Sequence, residues 1–247
     1  MLKKSIMNKN KINLVIFDLD GTLIDSTSEI AFVVNSVLKK NGFPERSKEF
    51  YIKNIGSGIA NLLEKSLPDV NIDYFDQVLS DVKNLYSIHL NKRSKVFDGI
   101  YEILDFLKKK KIRIAIVTNK LHHLALRCVE NFFNDYDIIT IGAEDKFKKK
   151  PNPDSSLEII NFYGIKPEAS IFIGDSYIDV ETAKNAHIKS GGVLWGNGDK
   201  QELKRADMLF SETKELLNYL LEDWVLSEIN CCFSQLSKSS KTSFRIC

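Results

Sequence analysis

Short unbroken apolar runs alternate along this chain with stretches whose apolar residues recur every three or four positions. INLVIFD, IRIAIVTN, DIITIGA and SIFIGD have the length and β-branched content of strands buried on both faces, and each runs into a Gly, Asn or Asp. Between them, GIYEILDFLKKKK, HHLALRCVENFF and DSSLEIINFYG carry helical spacing, the last stopping at Gly164. This alternation predicts an α/β fold with a doubly wound, Rossmann-like parallel sheet. Lys108 to Lys111 fall at a helix C-terminus, where cations suit the helix dipole, and read as a solvated end.

One segment breaks the alternation. From Thr27 to about Ser94 only amphipathic helical patterns occur, among them IAFVVNSVLKKNG, IANLLEKSL and FDQVLSDVKNLYSIHL. These predict a small helical domain, 27–94, inserted into a core made of 12–26 and 95–222, after an N-terminal tail at 1–11. Past Glu222 the pattern decays into SQLSKSSKTSFRIC, so 223–247 is expected to be disordered.

Composition narrows the function. The chain has 247 residues, 43% of them hydrophobic, and a formal charge of +2, which gives no general pull toward nucleic acid or a membrane surface. No apolar run approaches the roughly 20 residues that span a bilayer, and MLKKSIMNKNKIN lacks the apolar segment of a signal peptide, so a cytoplasmic protein is expected. Cys128 stands alone in a helical pattern, and Cys231, Cys232 and Cys247 have no ligand partners beside them, which argues against a disulfide framework or a zinc site.

The candidate chemistry sits where strands end. Asp18 and Asp20 close the first strand with one leucine between them, so on an extended chain they face the same side. Two such charges at about 4 Å repel by roughly 4 kcal/mol at an effective dielectric near 20, and a cation is the usual compensation. Thr118 and Asn119 end IRIAIVTN, Lys150 precedes a PNP turn, and Asp175 and Asp179 belong to IGDSYID. Each is unremarkable alone, as a turn signal, a helix cap or a surface lysine. Their order and common strand-end placement set them at the ligand-binding edge of a doubly wound sheet.

In that order, DLDGT, TN, KP and GDSYID resemble the motifs of the haloacid dehalogenase-like superfamily, with an inserted helical cap domain after the first motif. The likeness covers Ile12 to about Leu221. A calcium-loop reading fails because Gly21 lies at the fourth position of such a loop rather than the sixth. The resemblance implies that Asp18 is a nucleophile forming an aspartyl phosphate and Asp20 the general acid and base. Thr118, the Asn119 backbone N–H and Lys150 would grip the phosphoryl oxygens, and Asp18, the Asp20 carbonyl and Asp175 would bind Mg²⁺, with Asp179 ordering that metal shell.

Smaller features choose among reactions. Dehalogenating relatives lack the second aspartate, and mutases resembling β-phosphoglucomutase carry a histidine early in the cap, absent from Thr27 to Asn35. Both point to a phosphatase acting on a small phosphorylated metabolite, as a monomer or homodimer. The stretch IKNIGSGIANLLEK resembles the specificity loop of phosphoglycolate phosphatase-like enzymes, with Gly56, Ser57 and Gly58 approaching the substrate; Ser57 is equally suited to cap a helix. A pyrophosphatase, a sugar-phosphate phosphatase or mutase, and an idle phospho-ligand sensor are the alternatives. Lys53 has the residue type of a Schiff-base lysine in phosphonate-cleaving relatives and reads as a surface residue, while His122 and His123 read as surface or packing residues. Two positions depart from the family: His187 replaces a glycine after KNA, and Asp98 replaces a proline before Gly99.

Overall fold

The computed structural model describes residues 11–68, 72–143 and 146–239. Six strands form a parallel sheet: β1 (Leu14–Phe17), β4 (Arg113–Leu121), β5 (Ile138–Ala143), β6 (Ser170–Gly174), β7 (Lys189–Val193) and β8 (Met208–Phe210). Their order is β5-β4-β1-β6-β7-β8, so the chain starts in the middle and winds outward both ways. Alternation along the strands sorts the core into two layers. Val15, Phe17, Ile114, Ile116, Ile171 and Ile173 enter one apolar cluster, while Leu14, Ile16, Ala115, Val117 and Phe172 enter the other.

Helices α5 (Ile100–Lys109), α6 (His122–Phe132) and α10 (Thr213–Ser239) contribute to the first layer, and α7 (Asp154–Tyr163) and α8 (Tyr177–Asn185) to the second. A short helix, α9 (Lys200–Leu203), precedes β8. Strands β7 and β8 escape the sequence reading because KSGGV is rich in glycine and MLF spans only three residues. Lys108, Lys109 and Lys111 at the end of α5 are exposed and Lys110 is half-buried, as a solvated helix end requires. Lys108 Nζ donates to Asp135 O at 2.8 Å, and Lys110 Nζ lies 3.4 Å from the Trp224 ring centroid.

Four helices separate the first strand from the rest of the sheet: α1 (Thr27–Lys40), α2 (Lys48–Asn54), α3 (Ile59–Ser66) and α4 (Ile72–His89). Their entry and exit pair as a short antiparallel ribbon, β2 (Ile24–Asp25) with β3 (Lys95–Val96). Val33, Val37, Val78 and Val82, from α1 and α4, are buried in the same cluster as the first layer of the core. Helix α3 begins after Gly58, with no side-chain cap, so Ser57 does not cap it.

Disorder from residue 223 is not what the structure shows for 223–239, where α10 continues. Asp223 is buried and its Oδ2 accepts from Ile12 N at 2.9 Å, tying the helix to the start of the core. Lys11 Nζ adds an ion pair with Glu228 at 2.8 Å. Long-range contacts of this kind leave no mark on local periodicity. The tail expected at 1–11, except Lys11, and residues 240–247 lie outside the described residues.

His187 occupies a left-handed position, φ 56°, just past α8, and its N–H closes the helix on Lys184 O at 3.1 Å. A side chain there costs roughly 1 kcal/mol, which glycine avoids at some expense in unfolded-state entropy. His187→Gly should therefore raise Tm by about 1–3 °C, measurable by differential scanning calorimetry. An unchanged or lower Tm would show that the imidazole makes up the strain.

Candidate active site

The site forms where β1, β4 and β6 end. Asp18 follows β1 directly, and its N–H donates to Ile173 O at 2.9 Å, which holds the end of β1 against β6. The chain then turns back at once: the N–H groups of Leu23 and Ile24 both reach Leu19 O at 3.0 Å. Gly21 makes that turn possible, with φ 86° and a backbone so close to Asp175 that a Cβ would lie 2.2 Å from Oδ2. Asp175 follows β6, and Asp179 stands in the first turn of α8. There Asp179 Oδ2 accepts from Ser176 N at 3.0 Å and Ser176 Oγ at 2.7 Å.

Lys150 connects these carboxylates. Its Nζ lies 2.7 Å from Asp18 Oδ1 and 2.5 Å from Asp179 Oδ1, with all three side chains almost wholly buried. The Asn119 side chain fixes the lysine's backbone: Oδ1 accepts from Lys150 N at 2.9 Å, and Nδ2 donates to Lys150 O at 3.2 Å. The same Nδ2 donates to Gly56 O at 3.0 Å, so one amide side chain joins β4, the lysine loop and the loop before α3. Thr118 and Asn119 line one cavity with Asp18, Asp20, Gly56 and Gly58. Ser57 instead lines the neighbouring cleft over Asp175 and Ser176, together with Lys53.

Charge is unbalanced here. Oxygens of Asp18, Asp175 and Asp179 lie within 4.8 Å of one another, all buried, around a single lysine. Burial, opposed by Lys150, pushes the Asp18 carboxyl up to about 6. Burial together with the Asp179 and Asp18 charges pushes Asp175 well above the usual carboxylate range. Asp18 Oδ1, despite its nearness to Lys150, receives no well-directed hydrogen bond. An all-oxygen group short of positive charge, with an orphaned carboxylate oxygen, suits a hard divalent cation such as Mg²⁺.

The Asp20 carboxylate stands apart from that group. Lys120 Nζ holds it at 3.0 Å from Oδ1 and 3.2 Å from Oδ2, and also donates to the Tyr86 hydroxyl on α4. Burial works against the charge on Lys120, but the Asp20 carboxylate together with Tyr86 and Cys128 outweighs it and holds the ammonium well above its ordinary value. Beside the pair lies a void of about 40 Å³, walled by Ile30, Ile55, Ile59, Leu62 and Leu121. Lys120 and Tyr86 were missed in the sequence, as was the loop after β7, where Asn197 N donates to Asp175 Oδ2 at 2.7 Å. The available signals were the lysine after TN and the glycines of WGNG. His122 is partly buried and accepts from Gly142 N through Nδ1 at 3.2 Å, while His123 is exposed.

Comparison with known proteins agrees with this architecture. The family model for haloacid dehalogenase-like hydrolases matches residues 15–193. A phosphoglycolate phosphatase from Aquifex aeolicus is 33% identical over 187 residues, covering 75% of this chain and 86% of that protein. Another, from Nitrosococcus oceani, is 27% identical over 215 residues, covering 84% and 96%. Among solved structures, one described as a predicted phosphoglycolate phosphatase from Haemophilus somnus superimposes with a TM-score of 0.79 at 24% identity, over 86% of this chain and 99% of that one. A haloacid dehalogenase-like family protein from Streptococcus pneumoniae gives 0.75 at 22% identity, over 84% and 98%; at such identities both speak to the fold alone. The chain belongs to the haloacid dehalogenase-like hydrolases, in their phosphoglycolate phosphatase-like subgroup.

Proposed function

We propose that the chain hydrolyses a small phosphorylated metabolite through an aspartyl phosphate on Asp18, with phosphoglycolate as the first candidate substrate because relatives carry that name. The observation carrying the reading is the buried group of Asp18, Asp175 and Asp179 around Lys150. In this reading an Asp18 oxygen attacks phosphorus, and Asp20 protonates the leaving oxygen. Asp20 then takes a proton from the water that hydrolyses the intermediate. The Thr118 hydroxyl, the Asn119 N–H and the Lys150 ammonium bind the remaining phosphoryl oxygens.

Asp18, the Asp20 carbonyl, Asp175 and Asp179 form the set that would hold Mg²⁺. Bound there, the ion would neutralise charge on the transferring group. Helices 27–94 act as the cap domain of the core 12–26 and 95–222. A void of about 40 Å³ admits little more than a water or two, so substrate entry needs the cap to lift on the β2–β3 ribbon. Gly56, Ser57 and Gly58 would then sense the part of the substrate beyond phosphorus.

Two measurements test this. Turnover of phosphoglycolate and a panel of phosphorylated metabolites should require Mg²⁺ and stop with EDTA; inactivity on every ester with Mg²⁺ present would refute the reading. Thermal melts should show Mg²⁺ raising Tm, with a larger effect at pH 7.5 than at pH 5. The sign follows from Asp18: its folded value of about 6 exceeds 3.8, so charging it opposes folding progressively between those values. Without metal, that contribution falls as pH rises through the window, and at higher pH the carboxylate is free for the cation. A Tm shift independent of pH would count against these metal ligands.

A further inference from the structure

We infer that Lys120 is a positioning residue for Asp20, and that the helical insert completes its seat through Tyr86. The inference rests on the proposed role of Asp20 as proton carrier. Lys120 Nζ meets both carboxylate oxygens of Asp20, at 3.0 and 3.2 Å, and its third contact is the Tyr86 hydroxyl. An ammonium has three N–H donors, so these partners occupy them all. The side chains of Lys120 and Asp20 are 2% and 11% exposed, which leaves little water to compete for either. Lys150 faces Asp18 and Asp179 instead, so the two buried lysines divide the carboxylates between them.

The chemistry shows why a fixed carboxylate matters. In the first half, the Asp20 O–H gives its proton to the leaving oxygen as the bond from that oxygen to phosphorus breaks and an Asp18 oxygen bonds to phosphorus. In the second, the Asp20 carboxylate takes a proton from water as the water oxygen bonds to phosphorus. The Asp18–phosphorus bond then breaks, releasing inorganic phosphate and restoring both side chains. One carboxylate must reach two oxygens in turn, and rotation about its side-chain bonds lowers the chance of either. Lys120 stops that rotation by gripping both oxygens. Tyr86 belongs to α4 of the insert, while Lys120 ends β4 of the sheet, so the grip is complete only when the insert is seated on the core. The proton carrier is thereby set in the arrangement that excludes water from the site.

The test compares Lys120→Met, Lys120→Arg and Tyr86→Phe with wild type and with Asp20→Asn. Each is assayed on p-nitrophenyl phosphate, whose leaving group needs little protonation, and on glycerol phosphate, whose leaving group needs it. Rapid acid quench and intact mass report phosphate held on the protein, and thermal melts report folding. Lys120→Met should lose on the order of 10–100-fold on p-nitrophenyl phosphate with phosphoenzyme accumulating, and more on glycerol phosphate. Lys120→Arg should recover part of the loss, and Tyr86→Phe should show the same pattern at a few-fold. Equal losses on both esters without phosphoenzyme, or no loss at all, would overturn the inference. If Lys120→Met fails to fold, the Arg and Phe variants decide on the same criteria. Failure of the underlying reading looks different: Asp20→Asn itself would then show neither accumulation nor dependence on the leaving group.

Discussion

Asp18→Asn should abolish turnover and leave no phosphate on the protein, whereas Asp20→Asn should be slow and trap phosphate. The amide of the first variant has no nucleophilic carboxylate oxygen, and it also removes one member of the buried acidic group, so Mg²⁺ binding weakens too. In the second, the acidic group of Asp18, Asp175 and Asp179 is intact, because the Asp20 side chain lies outside it. Proton transfer by a placed side chain contributes about 10² to 10⁴-fold, so activity should drop by that order rather than vanish. A p-nitrophenyl ester can still phosphorylate Asp18 in this variant, but the base needed for hydrolysis is missing, and the phosphoenzyme builds up. Intact mass after acid quench reads the outcome directly. A phosphate adduct on Asp18→Asn and none on Asp20→Asn would reverse the assignment.

Lys150→Met should be the most destabilising single change in the site when metal is absent. The lysine is the cation contacting both Asp18 and Asp179, and removing one partner of a buried ionic group costs about 3–5 kcal/mol, because the charges left behind are unpaired. In a chain of this size that corresponds to a fall in Tm of about 10 °C. Saturating Mg²⁺ should return part of the loss, since a bound cation restores positive charge at the same place. Asp175→Asn is the contrast. Its carboxyl already sits well above the ordinary range through burial and its acidic neighbours, so an uncharged amide should leave the metal-free Tm unchanged or higher while removing the shift caused by Mg²⁺. Melting curves with EDTA and with Mg²⁺ give all four values. A metal-free Lys150→Met that melts with wild type would show that the carboxylates are neutral there and need no cation.

Much of the fold is legible because its central strands are buried on both faces. β1, β4, β5 and β6 must be apolar along nearly their whole length, so each announces itself without reference to the others. The helices between them carry one apolar face each and are equally local. Asp18, Thr118 and Asp175 are readable for a related reason: a doubly wound sheet gathers its strand ends on one edge, so a polar residue just after an apolar run has a forecast position. KSGGV escaped because two glycines dilute the apolar run, although β7 still finds β6 and β8 on either side. Residues 223–239 escaped for the opposite reason. Helical periodicity fades there ahead of the Ser- and Lys-rich SQLSKSSKTSFRIC, yet Asp223 finds Ile12 N and Trp224 finds Lys110 far away along the chain.

The polar partnerships belong to a different level. TNK reads as the end of a strand, and nothing in three letters says that its lysine grips Asp20, a hundred positions earlier, or that Tyr86 from a separate helix shares the grip. The same holds for Lys150, whose ammonium lies between Asp18 and Asp179, and for Asn197, whose backbone N–H steadies Asp175. Apolar burial is non-directional and scales with area, so a run of residues carries its own preference for the interior. A buried ion pair or hydrogen bond depends on a distance of about 3 Å and on an angle, and these exist only once elements remote in sequence have packed. Local order in this chain therefore expresses the sheet, its helices and the strand ends that bear acids, while the division of two lysines among three carboxylates is made by packing alone.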